Sequence, residues 1–93
     1  MTASDATRIA SLHQIFDEPL TKQQKDIALM YAIGLTIDAI GDAKGIKSCT
    51  VRKHLDEVRN MFGGITLSTL RSIIFLRVLF NLQGINSPYN FYN

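Results

Sequence analysis

Between Gly45 and Phe62 the chain reads G-I-K-S-C-T-V-R-K-H-L-D-E-V-R-N-M-F, and Val51, Leu55, Val58 and Phe62 recur there at intervals of four, three and four. That spacing predicts one buried stripe of an α-helix. At helical pitch the four side chains fall within about 60° of arc. Lys53 and Asn60 point almost directly away from them, Cys49, Asp56 and Glu57 flank this outer face, and Arg52 lies to one side. A helix entering a DNA major groove needs this build, with one face held by the domain and the other open to base edges and phosphates. An ordinary surface helix with a solvated charged face has the same pattern. What precedes the helix decides between them.

Leu20-Thr21 opens the preceding unit. Thr21 is an N-cap with Gln24 three residues on, a capping box. Ile27, Met30 and Tyr31 give a stripe running through Ile33, and Gly34 stands where a helix-ending glycine belongs. Thr36 caps a second, short helix carrying Ile37, Ile40 and Ala43, which Gly45 ends. Helix, glycine, short helix, brief turn and longer helix is the order of a helix-turn-helix.

After the Gly63-Gly64 break, a last helix is predicted from about Thr66 to Leu82. Leu67, Leu70, Ile74 and Val78 form one apolar face; Phe75, Leu76, Leu79 and Phe80, with Ile73, form another. A helix apolar on both sides is covered on both. A second copy of the chain is the natural cover, and the alternative is residues 1–18 folding back over it. Those residues predict a short amphipathic helix, with Ser4 as cap, Ile9, Leu12, Ile15 and Phe16 on one face, and an end before Pro19. His13 within it reads as half-exposed rather than as a metal ligand, having no second ligand nearby. Residues 84–93 read as an irregular tail whose Tyr89, Phe91 and Tyr92 either dock or stay mobile.

Charge supports the same division. Residues 1–43 hold three Lys or Arg against six acids, while residues 44–93 hold seven against two, within a formal net charge of +2. The basic half contains the organising helix, and a local basic patch matters more for phosphate than the total does. A single cysteine allows no internal disulfide and fits a reducing compartment. No signal peptide or membrane-length apolar run is visible, so a cytoplasmic protein is expected. No carboxylate-histidine-nucleophile cluster, metal-ligand spacing or phosphate-binding glycine loop occurs, so no enzyme, metal or cofactor is expected.

The run L-T-x(10)-A-x-G-L-T-x(3)-I, then G-I-x(3)-T-V-R-x-H, resembles the LuxR/GerE-type helix-turn-helix domain of bacterial transcription regulators, without a gap from Leu20 to about Leu82. The resemblance implies an all-α domain of four helices over residues 20–83, here preceded by an extra short N-terminal helix within residues 1–19. The third helix, about 48–62, would be the recognition helix and the fourth the dimerisation helix. Positions matching Arg52, Lys53 and Asp56 are where that family contacts DNA. The chain departs from the family at Gln23-Gln24, usually Arg-Glu, and at Lys44, usually leucine. It departs again at Lys47, usually a capping serine, so the cap is expected to slip to Ser48.

The candidate DNA-binding residues are therefore Lys47, Ser48, Thr50, Arg52, Lys53, Asp56, Arg59 and Asn60, and the candidate dimerisation residues are Ile73, Phe75, Leu76, Leu79 and Phe80. Asp56 and Glu57 put two anions on the outer face; each would oppose phosphate, although an acid there can accept from a cytosine amino group. His54 reads as a packing and hydrogen-bonding residue rather than a pH switch, and exposed Cys49 as a weak candidate for redox control. The expected function is a small stand-alone transcription regulator that binds double-stranded DNA as a homodimer. The alternative is a protein-interaction module of the same fold that pairs with a larger regulator. Asp56, Glu57 and the low net charge favour the second; Lys47, Arg52, Lys53 and Arg59 favour the first.

Overall fold

The computed structural model describes residues 8–82. They form a small all-α bundle with no strand among the described residues. A short helical segment at residues 8–11 runs into a 3-10 turn at His13–Ile15. Four longer helices follow: α1 (Lys22–Ala32), α2 (Ile37–Lys44), α3 (Ser48–Met61) and α4 (Leu67–Leu82). The arrangement is consistent with a helix-turn-helix-like bundle. The expected N-terminal helix is thus broken at Leu12. Ser4 and the expected tail at 84–93 lie outside the described residues.

Local chemistry sets the helix ends. Thr21 Oγ1 accepts from the Gln24 N–H, and the Gln24 side chain accepts from the Thr21 N–H, both at 3.1 Å. Two donors that the helix itself leaves unpaired are satisfied reciprocally. Thr36 caps α2 and Thr66 caps α4 in the simpler way, each hydroxyl accepting from the N–H three residues on. Gly45 ends α2 in the left-handed region at φ 69°, where a side chain would be strained.

Helix α1 is the centre of the bundle and packs against α2, α3, α4 and the N-terminal turn. Ile27 and Met30 join Ile40, Val51 and Leu55 on one side of it. Ala28, Leu29 and Ala32 join Phe16, Val58, Leu70, Ile74 and Val78 on the other. The sequence stripe captured only the first side. It also ran one residue too far, because Ile33 caps the helix and is 49% exposed. Ala43 is likewise exposed, and Gly41 is the buried position near the end of α2. A Cβ at Gly41 would lie 2.8 Å from the Ile46 carbonyl oxygen, so only glycine lets α2 approach the turn into α3 this closely.

The described part of the N-terminal segment, residues 8–18, does fold back, but onto one flank of α4. Phe16 is buried, and Ile9, Leu12 and Ile15 pack partly buried against the core. Arg77 of α4 donates to both carboxylate oxygens of Glu18, at 2.8 and 3.1 Å, and to the Ile15 carbonyl at 3.2 Å. Gln14 donates to Asn81 at 3.2 Å. Among the candidate dimerisation residues, Phe75 and Leu76 remain 43% and 50% exposed. Ile73, Leu79 and Phe80 are half-buried. No described helix is long and apolar enough to cross a membrane.

Candidate nucleic-acid interface

Three residues, Gly45 to Lys47, separate α2 from α3, and the two helices pack together. Val51, Leu55 and Val58 are fully buried, which fixes the rotation of α3 about its axis and so decides which residues face out. Phe62, at the end of the stripe, is half-buried.

The N-terminus of α3 corrects one expectation. The cap stays at Lys47, which makes no side-chain capping bond, instead of slipping to Ser48. The Ser48 hydroxyl donates to the Asp38 carboxylate of α2. Ser48 is thereby drawn toward α2, while Lys47 is exposed and has no ion-pair partner among the described residues.

The two acids do not stand as unpaired anions on the outer face, and their side chains diverge. Asp56 and Glu57 each lie about 130° from the centre of the buried stripe, in opposite senses. Glu57 accepts from the Nε2 amide of Gln24 at 2.9 Å, which ties the middle of α3 to the first turn of α1. The amide of Gln24 thus donates to a carboxylate that a glutamate at that position would repel. Asp56 Oδ1 accepts from Arg59 Nε at 3.0 Å and from Arg52 Nε at 3.3 Å. The Arg59 hydrogen bond, aided by Arg52, holds the Asp56 carboxyl below its ordinary range. Arg59 also donates to the Ile65 carbonyl at 3.3 Å, in the connection between α3 and α4.

Two of the expected cationic contacts are thus engaged within the fold, to different degrees. The Arg59 side chain is 33% exposed and has two protein acceptors; that of Arg52 is 54% exposed and has one, through Nε. Between the two bonded flanks the outer face carries Lys53, Asn60 and Cys49, all exposed, while Thr50 is half-buried. Lys53 has no ion-pair partner among the described residues. This strip offers an ammonium, an amide and the terminal nitrogens of a guanidinium, a set able to meet phosphate oxygens and base edges.

His54 Nδ1 is buried without a hydrogen-bond partner, so the expected hydrogen-bonding role is absent at that nitrogen. Lys44, in the last turn of α2, is paired within the fold. Its ammonium donates to Asp26 Oδ2 at 2.8 Å, and His13 Nε2 lies 2.6 Å from Asp26 Oδ1. Burial alone would raise the Asp26 carboxyl, but the hydrogen bonds from Lys44 and His13 together hold it below its ordinary range. Asp26 therefore joins the N-terminal turn, α1 and the last turn of α2 at one point. Sequence reasoning missed this cluster because its three members are far apart in the chain. The Arg52–Asp56–Arg59 set did have a signal, since i,i+4 and i,i+3 spacings place opposite charges side by side on a helix. No protein-family model, curated protein or solved structure matches this chain.

Proposed function

We propose that this is a small DNA-binding transcription regulator whose α3 enters the major groove and which acts as a homodimer through α4. The observation that carries the reading is the outer face of α3. The buried stripe holds the helix by one side, and Lys47, Arg52, Lys53 and Asn60 stand exposed on the rest of it. Cations in the first turns of an exposed helix, after a short helix and a tight turn, suit a major-groove reader, and Asn60 extends the same outer face into the last turn. The resemblance of residues 20–82 to LuxR/GerE-type domains supports the same assignment. The direct test is the Arg52→Ala, Lys53→Ala double variant. It should stay folded and lose at least about tenfold in duplex affinity. Unchanged affinity would remove α3 as the DNA-contacting element.

A second reading has its own support. Asp56 partly neutralises two arginines, and the apolar patch around Phe75 and Leu76 is exposed. A module that pairs with a larger regulator of the same fold would have both features. Such a protein would bind that regulator tightly and show no duplex binding even at low salt.

A further inference from the structure

Arg52, Asp56 and Arg59 form a chain of hydrogen bonds with a fixed end and an open end. The fixed end is the Ile65 carbonyl, which accepts from Arg59. Arg59 in turn donates its Nε to Asp56 Oδ1, and the same oxygen accepts the Nε of Arg52. Arg52 is the more exposed of the two arginines, and its terminal nitrogens meet no other acceptor among the described residues. A guanidinium held through Nε keeps its Nη1–Nη2 edge for a bidentate contact, and its plane is set by the carboxylate behind it. An unheld arginine must give up rotamer freedom to make the same contact.

We propose that Asp56 is a positioning residue that aims Arg52 at the O6 and N7 of a guanine, with Arg59 as the brace that holds Asp56. The proposal rests on the DNA-binding reading and deepens it. Arg52 becomes the base reader, and Arg59 is withdrawn from the DNA contacts expected of it. Asp56 then trades general affinity for selectivity: it opposes phosphate everywhere and favours the site where Arg52 finds guanine.

The test selects preferred duplexes from a random-sequence pool with the unmodified protein, then replaces each enriched guanine by 7-deazaguanine, which lacks the N7 acceptor. For the unmodified protein, one such replacement should cost about tenfold in affinity. That penalty should vanish in Arg52→Ala and shrink to about twofold or less in Asp56→Ala and Arg59→Met. Asp56→Ala should also bind random duplex more tightly, and Asp56→Glu should restore part of the penalty. A merely structural role for Asp56 would lower the unfolding midpoint without separating one guanine from the rest. An equal 7-deazaguanine penalty in the unmodified protein and Asp56→Ala would overturn the proposal, as would the absence of any enriched guanine. In both cases DNA binding itself stands. Failure of every form to retain duplex at low salt would instead overturn the DNA-binding reading.

Discussion

Arg77 and Glu18 form a two-pronged ion pair, with nitrogen-to-oxygen distances of 2.8 and 3.1 Å, across 59 residues of sequence. The Arg77 guanidinium also lies 5.0 Å from the centre of the Phe62 ring, at the end of α3. One side chain of α4 therefore joins the N-terminal segment and the recognition-helix candidate. Its partner acid has a pH signature. The hydrogen bond from Arg77 holds the Glu18 carboxyl below its ordinary range, against the effect of burial.

A carboxyl depressed in the folded state adds stability above its ordinary range and loses it as pH falls through the folded value. Glu18 and Asp26 are both depressed. The urea midpoint should therefore fall as pH drops from about 5 to about 3. Glu18→Gln should be less stable near neutral pH and show a shallower fall. Parallel curves for the two proteins would mean that the Glu18–Arg77 pair does not hold the segment down in solution.

Gly41→Ala should destabilise the protein by about 1–3 kcal/mol, because the added methyl meets a backbone oxygen that cannot turn aside. Urea unfolding measures it. Gly34→Ala separates the close approach from the turn geometry: its φ of 113° strains any side chain, yet no atom lies within 4 Å of the added carbon. The signature of close approach is that Gly41→Ala, alone of the two, disturbs the spectra of residues in the α2–α3 turn.

Replacing Leu76 and Leu79 with glutamate should yield a folded monomer, because both lie outside the buried face of α4, which is Leu70, Ile74 and Val78. Sedimentation at tens of micromolar reads the outcome. An unmodified protein that already sediments as a monomer there would remove the dimer from the proposal.

Much of the fold was legible because its signals are local. Caps at Thr21 and Thr36, the left-handed Gly45 and the stripe through Val51, Leu55 and Val58 all depend on residues within a few positions of one another. What was not legible depends on contacts across the chain. Ala28, Leu29 and Ala32 looked unremarkable beside the stripe of Ile27 and Met30, yet α4 covers them. Gly41 carries no turn signal, since its reason is the Ile46 carbonyl of the following turn. At the candidate site, the outward set on α3 followed from helix periodicity, but the partners of its acids did not. Glu57 is taken up by Gln24 from α1, and only the rotation imposed by tertiary packing brings them together. The Asp56 pairing could have been anticipated from spacing alone; the anchoring of Arg59 on Ile65 could not.

Asn60 faces the same way as Lys53 and is exposed, so Asn60→Ala should change the preferred sequence or the affinity modestly and leave stability within about 0.5 kcal/mol. Paired duplex binding and urea unfolding check both halves. A stability loss with no binding change would place Asn60 in the fold rather than at the interface.

Duplex affinity measured against salt tests most directly whether α3 meets DNA through its exposed cations. Log affinity should fall linearly with log salt, with a slope of roughly −0.9 for each phosphate neutralised. Lys53→Ala should make that slope shallower by about one unit. No duplex binding at low salt, or a slope unchanged by removing both Lys47 and Lys53 in a folded protein, would contradict it.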